Sequence, residues 1–219
     1  SFIFALFVVP ICQIMCFLIA YCIRKKNPLS DTLQTVYFLP LLISMASAGM
    51  LFANLLSNTG VINYLIGLAG IPPIKWFTSA WGARFAVILL EVWKGGTFYV
   101  FIYLAAIRAI PNDYIEAALI DGITSVKLVF KIILNLIKPT IVFNLVMNII
   151  WSLQIFDSPY VLTRGGPLRQ TETLIYSVYS NAFLYDRMGK ATAMGVIFAL
   201  IVFIISFLQL KFLKTDFEY

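Results

Sequence analysis

The sequence contains no histidine, and only 12% of its 219 residues are charged. Without imidazole, histidine-based acid–base catalysis and histidine metal sites are excluded. No Gly-x-x-x-x-Gly-Lys-Ser/Thr loop occurs, so the chain has no recognisable means of binding and hydrolysing a nucleoside triphosphate by itself. Nor does a nucleophile with a matching base stand out, and neither catalytic residues nor metal ligands are assigned. Cysteines are few: Cys12, Cys16 and Cys22 share one apolar segment. Their odd number suits small apolar filler rather than a disulfide framework. The net charge of +6 comes from basic residues that flank apolar runs instead of forming a stripe, which points away from nucleic acid as a partner.

What is abundant is apolar. Hydrophobic residues make up 61% of the chain, against about 45–50% in soluble domains. This composition predicts an integral membrane protein with the lipid bilayer as its surroundings. Spanning helices need about 20 mostly apolar residues, and five segments qualify: roughly 1–23, 35–56, 85–107, 136–155 and 191–213. The fold class expected is therefore all-α, a polytopic transmembrane helical bundle forming one domain over 1–219. The first residues lack a Met and already lie in an apolar run, so a longer natural chain with an earlier helix is expected, without a cleaved leader.

Basic residues set the orientation. Arg24, Lys25 and Lys26 follow the first segment, Arg108, Lys127, Lys131 and Lys138 surround the loop after the third, and Lys211 and Lys214 follow the fifth. They outnumber Lys75, Arg84, Arg164, Arg169, Arg187 and Lys190 on the other side, which puts the loop after the third segment, and the C-terminus, in the cytoplasm. On the opposite side, Gly70–Pro73 and Arg164–Pro167 force turns. The run VINYLIGLAG is short enough to lie along the interface as a helix.

The cytoplasmic loop is unusual. Pro111 and Asn112 are expected to end the third segment, and Asp113 with Glu116 three residues on fits a capping box for a short helix, IEAALI. Gly122 suits a left-handed helix end, and Thr124 or Ser125 can cap a second helix running to Pro139. The expected product is a helical elbow over about 111–135. In it Ala117 and Ala118 allow a partner close, and Glu116 supplies a charge. An ordinary connector between two spans fits the same spacing.

Glu116-Ala117-Ala118, followed by Gly122, Ile132 and Leu134, resembles the EAA signature of permease subunits of bacterial binding-protein-dependent ABC importers. Asn135 stands where that family usually has proline. The segments FLPLLISMASAGMLFANLL, EVWKGGTFYVFIYLAAIRAIP and FDSPYVLTRGGPLRQTETLIYSVYSNAF look like its carbohydrate-uptake branch, in particular the maltose and glycerol-3-phosphate types. The resemblance implies a type I importer fold with six core helices, of which five are present here. It further implies a multi-pass protein of the bacterial inner membrane, with no cofactor in this chain. ATP and Mg would be bound by two cytoplasmic ATPase subunits, contacted through Glu116, Ala117, Ala118, Asp121 and Gly122. A second homologous permease and an extracytoplasmic solute-binding protein, which would dock near the Arg164–Pro167 loop, complete the implied set of partners.

Polar groups inside the spans are costly against lipid and therefore informative. Asn144, Asn148 and Ser152 recur at spacing four, with Trp151 and Gln154 nearby. Two readings fit: hydrogen bonds between helices, or the path of a sugar-like solute, whose hydroxyls suit amides and whose apolar face suits an indole. Glu91 and Lys94, three residues apart, are expected to pair with each other. A proton relay or a gate contact are the other roles such a pair can play. The function expected is thus a permease subunit of an ATP-driven importer for a sugar or sugar-like solute, and the alternative is an ion-coupled secondary transporter.

Overall fold

The computed structural model describes residues 1–123 and 125–212, so Thr124, Leu213 and Lys214 lie outside the described residues, as does the side chain of Ser125. Within them the fold is all helical. The first helix, α1 (Phe2–Cys22), lies along α5 (Ala80–Arg108) in the most extensive helix pairing of the molecule. At 29 residues, α5 is about 43 Å long at 1.5 Å per residue, well beyond the roughly 30 Å hydrocarbon layer. Close approach to α1 is possible because Gly96 lacks a Cβ: one placed there would sit 3.2 Å from the Cys16 sulfur. The Cys16 thiol in turn donates to the Gly96 carbonyl, and α5 runs through Gly95-Gly96 without a break.

The second apolar segment differs from expectation. It forms α2 (Pro28–Leu42) and α3 (Met45–Leu55), which meet at a 102° bend and so make a broken span. Two local causes act together. Pro40 removes a backbone donor from the last turn of α2, and Ser44, in extended conformation, caps α3 by accepting the Ser47 amide at 3.1 Å. Hydropathy is continuous across the bend, which hides it from composition alone. With this pair counted once, five candidate spans lie among the described residues. The others are α1, α5, the stretch Lys138–Leu162 that holds α9 (Lys138–Leu153) and α10 (Asp157–Leu162), and the final helix, Met188–Phe212.

At the end of α5, Arg108 ties three segments together. Its guanidinium donates to the carbonyls of Ile23 and Arg24 just past α1, and to the side chains of Ser30 and Gln34 on α2. On the opposite side of the bundle, VINYLIGLAG contains the helix α4 (Val61–Leu68). Buried Asn63 anchors it, donating to the carbonyls of Ser57 and Ile74 and accepting the Ile74 amide at 2.9 Å. The Arg164–Pro167 stretch is a turn, with Arg164 and Gly165 both at positive φ. Beyond it Arg169 forks onto Glu172, which also accepts the Ser177 hydroxyl. Two further helices follow in order, α11 (Leu174–Tyr179) and, after a π-helical turn over Ser180–Leu184, α12 (Met188–Phe212).

Two outcomes are expected from these loops. Asn63→Asp removes both amide donors from a buried site, at about 1–3 kcal/mol per orphaned group. It should lower the thermal midpoint of the detergent-solubilised protein and speed tryptic cleavage at Lys75. The Arg169 fork and the Ser177 hydroxyl hold the Glu172 carboxyl below the usual carboxylate range against a smaller opposing effect of burial. A depressed folded pKa gives stability that is complete above that range and is lost as pH falls through it. Protection factors of the 164–172 turn, with the intrinsic pH dependence of amide exchange divided out, should therefore fall on acidification, and Glu172→Gln should remove that fall.

Candidate functional site

A cavity of about 440 Å³ opens between α1, the α2–α3 bend, α5 and α9. That volume falls in the range that holds small solutes. Its polar lining comes from Ser44 at the bend, Glu91 and Lys94 on α5, Asn148 and Ser152 on α9, and Asp157 at the start of α10; Trp151, Phe98 and Tyr99 supply aromatic wall. Leu41, Ile43, Ser44 and Met45 at the bend in the second span form one wall of it.

The α9 stripe only partly reaches this cavity. Residues four apart on a helix advance about 40° around the axis at each step, so Asn144, Asn148 and Ser152 do not face one direction. Asn148, Trp151 and Ser152 line the cavity. Asn144 instead turns into the seam with α1 and α5, where its backbone carbonyl accepts from Gln13 at 3.1 Å and Gln13 accepts the Tyr103 hydroxyl. Both polar atoms of the Asn144 side chain, and the Asn148 Nδ2, are buried without a partner among the described residues. Gln154 is exposed at the C-terminal cap of α9 and does not line the cavity.

Glu91 and Lys94 share the cavity but make no ion pair with each other; among the described residues the ion pair within 4 Å is Arg169 with Glu172. Each finds a partner on another element. Glu91 accepts the Ser158 hydroxyl from α10. Lys94 donates at 3.2 Å to the carbonyl of Pro40, one of the four carbonyls that the end of α2 leaves without an intrahelical partner. Spacing of three permitted the pair, but packing offered each group a nearer match. Ser44, Asp157 and Ser158 were not singled out for the site in the sequence. A signal for Ser44 exists, a proline four residues before a serine inside an apolar run.

The elbow follows α5 directly. Its first helix, α6 (Asn112–Ile120), starts at Pro111 as N-cap with no side-chain cap, so the Asp113–Glu116 capping box does not form. Asp113 already lies in the first turn, and α5 ends at Arg108, within a residue of the expected end of the third segment. Proline at the cap position leaves no side-chain acceptor, which is why the box is displaced. The other end is as the sequence predicts. Gly122 has φ +74°, the Gly122 amide donates to Leu119 at 3.0 Å, and the Ile123 amide donates to Ala118 at 2.8 Å. This paired closure is the Schellman arrangement.

From there α7 (Ser125–Leu128), a π-helical turn over Val129–Ile133 and α8 (Leu134–Leu136) lead back to α9, whose first turn holds Pro139. Asn135 bonds the Lys131 carbonyl within this return. Ala117, Glu116, Asp121 and Gly122 are exposed. Ala118 is not: it is buried in the chain's own hydrophobic cluster, which includes Leu128, so its small size serves internal fit. Tyr114, Leu119, Ile120, Val126 and Phe130 on the same elbow are exposed, Ile120 at 86%.

The likeness to known proteins extends over almost the whole chain. It is 38% identical over 184 residues to the probable ABC transporter permease protein YesP of Bacillus subtilis (strain 168), covering 81% of this chain and 59% of that one. It is 32% identical over 207 residues to the lactose transport system permease protein LacF of Rhizobium radiobacter, covering 92% of this chain and 70% of that one. Among solved structures, a bacterial ABC transporter involved in import of the acidic polysaccharide alginate superposes with a TM-score of 0.87 at 25% identity, over 98% of this chain and 78% of its counterpart. The chain thus spans less than two thirds of the length of YesP. Residues 1–214 match the family described as binding-protein-dependent transport system inner membrane component, and this multi-pass inner membrane protein belongs to that family.

Proposed function

We propose that the chain is one of two membrane subunits of an ATP-driven importer for a sugar or sugar-like solute, with the cavity as part of the path. The observation that carries this reading is the cavity itself, where amide, carboxyl and hydroxyl groups meet an indole in the middle of an apolar bundle. Such a lining suits a polyhydroxyl solute, whose hydroxyls both donate and accept. Solutes in the names of similar proteins, lactose for one and alginate for another, are of that chemistry.

The chain acts as a transducer rather than a catalyst. ATP and Mg belong to two cytoplasmic ATPase subunits, an extracytoplasmic binding protein delivers the solute, and a second, similar permease completes the path. The elbow, with the C-terminus, lies on the cytoplasmic side. Glu116, Ala117, Asp121 and Gly122 present its contact surface, while Ala118 holds the elbow against its own bundle. Exposed Tyr114, Leu119 and Ile120 support docking there, since these apolar side chains sit on a helix beyond the end of α5. Coupling by such contact requires that the receiving cleft change shape between nucleotide states.

With Cys12, Cys16 and Cys22 replaced, Ala117→Cys should crosslink to an ATPase subunit in membranes, in a manner that ATP changes. Absence of any crosslink in a well-expressed protein would return the elbow to a connector and bring the ion-coupled alternative forward. Ala117→Arg should abolish uptake while leaving membrane insertion intact. Gly122→Ala has open space for its methyl group, so its cost is the backbone conformation alone, about 1–2 kcal/mol. Uptake should fall in Gly122→Ala and be better preserved in Gly122→Asn, which tolerates the left-handed region.

A further inference from the structure

We infer that the cavity carries a negative field that admits uncharged polyhydroxyl solutes and disfavours anions, and that Glu91 and Asp157 set this choice. The inference rests on the cavity being a solute path, and it narrows the substrate class. Among the described residues, the charged groups facing the cavity are Glu91 and Lys94 from α5, and Asp157 from α10. The faces contributed by α1, by the α2–α3 bend and by α9 carry none.

The single ammonium is already committed. Lys94 donates to the Pro40 carbonyl at the C-terminal end of α2, where unpaired carbonyls concentrate partial negative charge. Those carbonyls offset part of its field, and two carboxyl groups outnumber it in the lining. Glu91 takes one hydroxyl from Ser158, and Asp157 is exposed. An anionic solute would need a clamp of cations or of converging N–H donors. The described lining offers it one held lysine and two carboxyl groups.

An uncharged sugar meets the opposite situation. Its hydroxyls donate to the carboxyl groups of Glu91 and Asp157. The Asn148 Nδ2, 2% exposed at residue level and without a partner among the described residues, has protons to give to a hydroxyl oxygen, and the Trp151 ring is available to an apolar sugar face. Desolvating that amide with nothing bound is unfavourable, so a solute that accepts from it is favoured.

The field can be read without knowing the solute. In membranes containing the complete transporter, with Cys12, Cys16 and Cys22 replaced, a cysteine at Met147 or, in a second variant, at Leu41 would face the cavity. Each is treated with three methanethiosulfonates of similar size: hydroxyethyl, trimethylammonium-ethyl and sulfonatoethyl. Rates are divided by those of the same reagents with a free thiol in solution. The cationic reagent should outpace the anionic one, by up to about tenfold, the low end of what a cleft lined by one sign of charge gives, because two carboxyl groups here face one lysine. In Glu91→Gln/Asp157→Asn, which leaves Lys94 as the charge in the described lining, the ratio should fall to one or below, while the neutral reagent, reporting an intact cavity, keeps its rate. Equal normalised rates, a faster anion, or a ratio unmoved by the double substitution would overturn the charge selectivity and leave the path in place. If none of the three reagents reacts at either position in inserted protein, the path reading itself falls.

Discussion

Everything in this molecule hangs on the contact between α1 and α5. In a bilayer the water-driven attraction between helices is gone, and close packing with a few polar contacts must hold them. Gly96 lets the sulfurs of α1 come against the α5 backbone, and the Gln13–Tyr103 bond fastens the same seam. From this two-helix spine the working parts diverge: α5 presents Glu91 and Lys94 to the cavity on one side, and continues at its far end into Arg108 and the elbow. A loosened spine would spoil the cavity and the elbow together.

One wall of the cavity depends on what the second span refuses to do. Continuous helix through Ile43 would have satisfied every backbone group internally, as lipid demands. The break leaves helix ends inside the bundle, tolerable only because they are buried in protein or line a polar space. Lys94 takes one of the freed carbonyls and Ser44 occupies one of the freed amides. A charge that lipid would penalise is thus stabilised by the break that lines the cavity.

Much of this was legible in the residues, for identifiable reasons. The five spans could be read because a bilayer imposes a length and a polarity that few other structures share. Gly122 could be read because only glycine enters the left-handed region without strain. The bend at Ile43–Ser44 could not, since a window of hydropathy averages over it. Glu91 and Lys94 show a second limit: helical spacing brings side chains onto one face, but partners from α2 and α10 decided where each proton and charge would go. Ala118 shows a third, because a short exposed helix gives no signal of which alanine faces inward. Of the α9 stripe, Asn148, Trp151 and Ser152 line the cavity, whereas Asn144 became part of the spine.

The bridge made by Arg108 has a mechanical consequence. With one guanidinium gripping the end of α1 and the start of α2 while sitting at the root of the elbow, these segments are lashed into a single stiff block. On the coupling proposed above, a displacement of α6 would not be absorbed at the foot of α5 and would draw the end of α1 and the start of α2 with it. On the same proposal the α2–α3 corner, bent by 102° and lining the cavity, would be the joint at which that displacement reaches the cavity wall.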